Sequence, residues 1–361
     1  MNETTSRRCF AASNSCRGFC NYYGEIFTEA RAPRLYVIKG GPGTGKSHFM
    51  KTVAGRARRE GCAVTEYACS SDPASLDGIL IERAGHPAMG LLDGTPPHVC
   101  EPALPGAREE IINLGAFWDA RRLVGQRDTI ERLNREKAEA YAHAYAYLAA
   151  VGQVDGVADA RLESCVNREG LLALGRRILR GQPVGKGFTP IPALRRAVSM
   201  RGAVCLHAFE QESAALGGTL LLPEDHYGLG YRLTALLLGL SREAGHRVLV
   251  SYDPVLPHKI DGLLYPDTGL CILVGQAEPI EGAATRALSL RRYTDAAALR
   301  GMRGELRHIR ALGDSLTEAA LRALSVAAEA HGTLESIYAA AMDFRAKEAF
   351  TEAFCDGLFG E

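Results

Sequence analysis

The sequence predicts an α/β chain of two tandem halves, each built on a mainly parallel sheet and each followed by a helical stretch. Three observations carry this. An apolar run, Leu35 to Ile38, leads through a glycine-rich loop into helix-forming residues at 46–59. A second stretch, TLLLPEDHYGLGYRLTALLLG at 219–239, again joins an apolar strand to an apolar helix through glycines. Residues 107–151, 159–181 and 295–356 are dense in good helix formers.

Composition sets the outer bounds. The 361 residues are enough for two ordinary domains, and an apolar content of 47% supplies a sizeable core. Lys plus Arg equals Asp plus Glu at 42 each, so net charge points to neither nucleic acid nor an anionic membrane as partner. The longest apolar runs are far too short to cross a bilayer, and MNETTSRRCF lacks the apolar stretch of a signal peptide. A soluble cytoplasmic protein is expected. The ten cysteines form no C-x-x-C pair and read as reduced thiols. The spacing of Cys9, Cys16 and Cys20 fits no standard zinc or ferredoxin pattern.

Leu35 to Ile38 suits a central parallel strand. Gly40-x-x-x-x-Gly45-Lys46-Ser47 follows, a Walker A phosphate loop with strand before and helix after. Gly41, Gly43 and Gly45 let the backbone bend into a nest of N–H groups around a β-phosphate. Pro42 and Thr44 complete the loop, and His48 follows it on the helix, so residues 41–48 are the expected nucleotide contacts. Lys46 can span β- and γ-phosphate oxygens, and the Ser47 hydroxyl is placed to ligate Mg²⁺. The helix is predicted from Lys46 to about Arg59, stopped by Gly61. The context implies the P-loop NTPase fold.

A carboxylate should end a neighbouring strand. Ala88 to Asp93 is an apolar run closing in an acid, so Asp93 is the expected second magnesium ligand, held through water. Asp93-Gly94 is equally a turn signal, and both roles are compatible. No acid follows Asp93, so a general base must come from elsewhere. Asp72 and Asp77 are candidates, after the predicted strand Ala63 to Ala68 on the sheet edge that faces ligands in such folds. Asp72 has a plainer role as the cap of a turn starting at Pro73.

The second half echoes the first. Gly43 and Gly45 meet Gly228 and Gly230 at an offset of 185, Gly61 meets Gly245 at 184, and Asp77-Gly78 meets Asp261-Gly262 at 184. Asp72-Pro73 meets Asp253-Pro254, and Leu92-Asp93-Gly94 meets Leu273-Val274-Gly275, both at 181. In this alignment Lys46 becomes Tyr231, Ser47 becomes Arg232 and Asp93 becomes Val274. The second loop reads as a degenerate copy that keeps its frame for the core. The expected boundaries are 1–181, a linker at 182–192, and 193–361. A helix continuous from Asp119 through about residue 151 is predicted, with Tyr141, Tyr145 and Leu148 on one packing face.

These motifs resemble a family of bacterial ATP-binding proteins, found mainly in Firmicutes and built from two tandem P-loop-like halves. Its members are mostly labelled ATPase or nucleotide kinase, without assigned substrates. The resemblance rests on Gly18-Phe-Cys-Asn-Tyr-Tyr23, IKGGPGTGKS at 38–47, CSSDPASLDG at 69–78, LLDGTPPHV at 91–99 and EIINLGAFWD at 110–119. It is dense in the first half and weak in the second. It implies nucleotide binding by Gly43, Gly45, Lys46 and Ser47.

The leading expectation is a Mg²⁺-dependent ATPase whose single active site, with Lys46, Asp93 and Asp72, drives a switch between the halves. A kinase for a nucleotide or other small hydroxyl compound, with its acceptor near Asp72 and His98, is the first alternative. A non-hydrolysing nucleotide-gated module, with a protein or small-molecule partner, is the second. No N-K-x-D guanine motif occurs, which favours ATP. If the second half completes the site with an arginine, Arg195, Arg196 and Arg232 are the candidates.

Overall fold

The computed structural model describes residues 7–97, 99–185, 190–223, 227–275 and 283–360. His98 lies outside them. The first half contains β1 (Arg7–Phe10), β2 (Ala12–Ser15), β3 (Gly18–Asn21), α1 (Tyr23–Ile26), β4 (Arg34–Lys39), α2 (Lys46–Arg59), β5 (Ala63–Ala68), β6 (Leu76–Glu82), β7 (Met89–Asp93) and β8 (Glu109–Asn113). Its six-stranded sheet runs β1-β5-β6-β7-β4-β8. All neighbours are parallel except β6, which is antiparallel to β5 and β7. The run Leu35–Ile38 is buried throughout, as a strand covered on both faces must be.

Three helices follow: α3 (Ala120–Val124), α4 (Arg127–Glu163) and α5 (Arg168–Ile178). The predicted continuous helix is interrupted at Gly125-Gln126. Asp119 caps only the short α3, by accepting a bond from the Arg121 N–H. The 37 residues of α4 span roughly 55 Å at 1.5 Å per residue.

The second half repeats the plan with β9 (Ile191–Pro192), β10 (Arg196–Ser199), β11 (Gly202–Cys205), α6 (Ala208–Ala215), β12 (Thr219–Pro223), α7 (Leu229–Ala244), β13 (Leu249–Tyr252), β14 (Ile260–Tyr265), β15 (Leu270–Leu273), β16 (Ala284–Leu288), α8 (Ala296–Ala340) and α9 (Phe344–Phe359). Its sheet runs β9-β13-β14-β15-β12-β16, and only β14 is antiparallel to its neighbours. Strand for strand this is the order of the first sheet. Even the irregular step in the second hairpin recurs, between Tyr67 and Ala68 and between Ser251 and Tyr252. The molecule is thus α/β with two mixed, mostly parallel sheets.

The halves meet edge to edge. Phe10 and Leu194 exchange both backbone hydrogen bonds, at 2.7 and 2.9 Å. One apolar cluster spans the junction, joining Phe10, Tyr67 and Leu92 to Leu194, Leu220 and Leu264. Above it α4 and α8 run antiparallel: Leu133 meets Leu334, Ala144 meets Leu324, and Leu162 meets Leu299 and Leu306.

Helices 5 and 9 then cross over. Leu171 and Leu174 of α5 pack on Leu233 and Leu237 of α7, in the core of the second sheet. Cys355 and Phe359 of α9 pack with Phe49 and Met50 of α2, in the core of the first. The expected linker 182–192 ends inside the second sheet, because β9 at Ile191–Pro192 pairs with β13, and each closing helix lies on the other half's sheet. No described helix is long and apolar enough to cross a membrane. All ten cysteines are free thiols.

This exchange makes the second core depend on a first-half residue. Leu171→Ala should cost ~2–5 kcal/mol, the usual range for a buried leucine truncation. Urea denaturation followed by circular dichroism measures it; a loss below about 1 kcal/mol contradicts the packing.

Candidate functional site

The glycine loop occupies residues 40–45, between β4 and α2. Gly43 and Gly45 have φ of 71° and 80°, and Gly45 is the N-cap of α2. Gly43 is required twice over: its φ is left-handed, and an added Cβ would lie 2.3 Å from the Glu335 carbonyl oxygen. Pro42, just before Gly43, is half-buried. Thr44 is buried, and its hydroxyl closes the loop by donating to the Gly41 carbonyl at 2.9 Å.

Lys46 opens the helix. Its ammonium donates to the carbonyls of Gly40 and Gly41, at 3.1 and 2.9 Å, and stands 3.6 Å from Asp93 Oδ2. The sheet brings that carboxylate there, because β7 pairs with β4 so that Asp93 lies opposite Ile38. Asp93 Oδ1 accepts from the backbone and hydroxyl of Thr95, at 2.9 and 2.6 Å. Asp93 therefore holds its own turn and faces Lys46 at once. Ser47 Oγ accepts from the Leu76 N–H at 3.0 Å. A hydroxyl and a carboxylate are hard-oxygen donors of the kind Mg²⁺ takes.

Asp72 sits in the turn after β5. Its carboxylate accepts from Ser75 Oγ at 3.1 Å and lies 3.7 Å from Arg201 Nε, while its backbone carbonyl accepts from the Ser75 N–H at 2.8 Å. Asp77 is buried and accepts from the Tyr23 hydroxyl at 3.0 Å.

The helical segments bring further groups that sequence reasoning missed. The Tyr338 ring of α8 lies 2.9 Å from where a Cβ on Gly41 would stand, and Trp118 packs on Tyr338 with ring centroids 5.7 Å apart. Phe344 and Lys347 of α9 flank Gly45, and Lys347 Nζ is 3.2 Å from His48 Nδ1. An open cavity of about 720 Å³ beside the loop is lined by Phe117, Trp118, Arg122, Met342 and Phe344. From α4, the Tyr141 hydroxyl reaches Ser71 Oγ at 3.4 Å. Burial, then the charge of Lys46, pushes the Lys137 ammonium below the ordinary lysine range. His331, and at longer range Lys46 and Arg201, hold the Glu335 carboxyl low against the opposing effect of burial. These groups lie far from the loop in sequence, and no local motif marks them.

The second loop differs in register from the sequence alignment. The buried positions 49, 50, 53, 54 and 57 of α2 recur in α7 as 233, 234, 237, 238 and 241, a constant offset of 184 (233 − 49). Gly230, not Tyr231, therefore stands at the level of Lys46, and Tyr231, not Arg232, at that of Ser47. An added Cβ on Gly230 would lie 2.8 Å from Val274 Cγ1, so an apolar contact replaces the Lys46–Asp93 pair. Val274 does match Asp93, since Gly78 pairs Leu92 and Gly262 pairs Leu273. The Asp-Pro match does not hold: the Cys69 N–H bonds to Ser75 O and the Asp253 N–H to Lys259 O, which places Cys69 opposite Asp253.

The arginines proposed to reach across are engaged within the second half or at its loop. Arg195 is 0% exposed and paired with Glu210. Arg196 binds Asp253 and Asp261, at 3.0 and 2.5 Å. Arg232 binds Glu163 at 2.5 Å. A cavity of about 210 Å³ over the second loop is lined by Asp155, Asp159, Tyr231 and Lys259, among others. Asp155 and Asp159 lie with His258 in a cluster of possible metal ligands, but Lys259 already neutralises both acids, at 2.6 and 3.1 Å.

No protein-family model, no curated protein and no solved structure matches this chain.

Lys347 is only 1% exposed, and burial pushes its ammonium below the ordinary value of 10.5. A lowered lysine pKa makes the folded state most stable above the unfolded pKa, with stability lost as pH falls through the folded one. Lys347→Met should therefore raise the urea midpoint at pH 7, with the gain shrinking as pH approaches 10.5. A variant less stable at pH 7, or a gain that ignores pH, contradicts this.

Proposed function

We propose that this chain binds ATP with Mg²⁺ in its first half and hydrolyses it. In this reading it is a cytoplasmic member of the tandem P-loop ATP-binding proteins that its motifs resemble. The observation that carries the reading is Lys46 facing Asp93 across the mouth of a left-handed glycine loop at a helix N-terminus. Such a loop presents N–H groups and a partial positive charge to phosphate oxygens.

Lys46 would leave the carbonyls of Gly40 and Gly41 to hold β- and γ-phosphate oxygens. Ser47 and Asp93 would hold Mg²⁺, Ser47 directly and Asp93 through water. When bound, the metal neutralises charge on the phosphate oxygens. Trp118, Tyr338 and Phe344 would wall the nucleotide against the first-half loop.

The second half is read as a duplicate of the first that has lost its site. The matching strand orders, the recurring hairpin irregularity and the self-pairing of Phe10 with Leu194 support a pseudo-twofold arrangement. Gly230 and Val274, where Lys46 and Asp93 stand in the first half, leave nothing to hold phosphate or metal.

Trp118 is the single tryptophan of the chain, so intrinsic fluorescence reports on the loop it adjoins. Titration with Mg²⁺-ATP should change it saturably. Lys46→Ala removes a charge-assisted contact worth ~1.5–3 kcal/mol, a roughly ten- to hundred-fold loss of affinity. Unchanged affinity in a folded Lys46→Ala protein would sink the assignment. Ser47→Ala and Asp93→Ala should each weaken the dependence on Mg²⁺; if the dependence stays as in wild type, these are not the metal ligands.

A further inference from the structure

Each half sends one hairpin tip to the other half's loops. In the first, Ser15 Oγ accepts from the Arg17 N–H at 3.1 Å and donates to Gly18 O at 2.9 Å. In the second, Ser199 Oγ accepts from the Arg201 N–H at 3.0 Å and donates to Gly202 O at 2.8 Å. The sequences of the tips are Ser-Cys-Arg-Gly and Ser-Met-Arg-Gly, so the same turn places an arginine at the same point in both. The first tip is tied to the second half by the Cys16 N–H, which donates to Val255 O at 2.8 Å.

The second tip is wedged over the first half. Met200 is buried between Ala140 of α4 and Ala327 of α8, and Val198 between Ala144 and Leu324. These contacts fix the β10–β11 turn where the two long helices cross the first sheet's loops. Arg201 emerges there, with Nε 3.7 Å from Asp72 Oδ1. It also acts on the Glu335 carboxylate, as does Lys46, and the Glu335 backbone covers Gly43. Ser75 bonds the same Asp72 carboxylate, and the next residue, Leu76, donates its N–H to Ser47 Oγ at 3.0 Å, so Arg201 comes from the second half to the turn that adjoins the first half's loop.

We propose that Arg201 is the arginine that neutralises the γ-phosphate during transfer, supplied to the first half's site by the second. This rests on the ATP reading above. The Arg201 side chain is 73% exposed, and its ion pair with Asp72 is of the weak surface kind, so it can turn from Asp72 to phosphate at little cost. In the step itself a water oxygen bonds to the γ-phosphorus. The bond from that phosphorus to the β–γ bridging oxygen breaks, its electron pair stays on the departing ADP, and the water's proton is released to solvent. Charge spreads over the γ-phosphate oxygens as the bond breaks, and a planar guanidinium can pair with two of them at once. The second half, having no phosphate ligands of its own, then has a role in turnover.

The test is phosphate release under single-turnover conditions, together with Mg²⁺-ATP affinity from Trp118 fluorescence. Arg201→Ala should slow release at least about a hundredfold, towards the ~10³–10⁵ that such arginines contribute, while affinity changes little. Arg201→Lys should recover only part, because it keeps the charge and loses the fork. Arg17→Ala, the matching change at the other tip, should release phosphate at the wild-type rate and controls for folding. Wild-type release by Arg201→Ala overturns the assignment of Arg201 alone. A wild-type chain that releases no phosphate fails one step earlier and removes the hydrolysis reading together with this role.

Discussion

Each sheet of this molecule is closed by a helix that belongs, in sequence, to the other half. On the first sheet, Phe49 of α2 meets Phe354 of α9 with ring centroids 5.2 Å apart, and Phe359 and Cys355 complete the cluster. On the second, Leu171 and Leu174 of α5 do the same for α7. Burying several large side chains at ~1.5–3 kcal/mol each makes the exchange a principal source of stability. The long helices follow from it. To deliver α5 and α9 across the molecule, α4 and α8 must span it antiparallel, and their C-terminal ends then lie over the opposite loops. That is how Asp159 comes to stand beside Gly228 and Glu335 over Gly43.

The two loops differ electrostatically for a reason the packing makes plain. A lysine held 3.6 Å from a buried aspartate at a loop mouth faces a desolvation cost, which phosphate and metal would offset in the proposed reading. Without such a use, an apolar contact such as Gly230 on Val274 is the cheaper filling. Charge remains around the second loop, but its groups pair with one another: Tyr231 donates to Asp253, Arg196 joins Asp253 to Asp261, and Lys259 joins Asp155 to Asp159. At the first loop Lys46 faces Asp93 and Lys347 of α9 flanks Gly45, and burial holds Lys347, and burial with the charge of Lys46 holds Lys137, below the usual lysine range.

What was legible in the sequence was local. The strand Ala63–Ala68 and the helix Lys46–Arg59 fall where apolar runs and glycine stops place them. The glycine loop before α2 and the acid ending β7 lie where one short spacing and one apolar run place them. The second loop was misread by one residue, because matching Gly43 and Gly45 to Gly228 and Gly230 ignores the phase of the helix face, which α7 fixes through Leu233 and Leu237. The break at Gly125 was passed over because the helix formers on either side are strong. The helix exchange left no local trace: an amphipathic helix such as α9 fits either sheet equally well. Lys347 and Glu335 were therefore invisible, and so was Arg201, which comes to Asp72 on the β10–β11 turn without any local motif to mark it.

The central claim is one nucleotide site per chain, built on the first loop and completed by the second half. Calorimetric titration of the intact protein with Mg²⁺-ATP tests it most directly. Saturation at one equivalent per chain is expected. Saturation at two would show that the second loop still binds, despite Gly230 and Val274, and absence of binding would remove the site altogether.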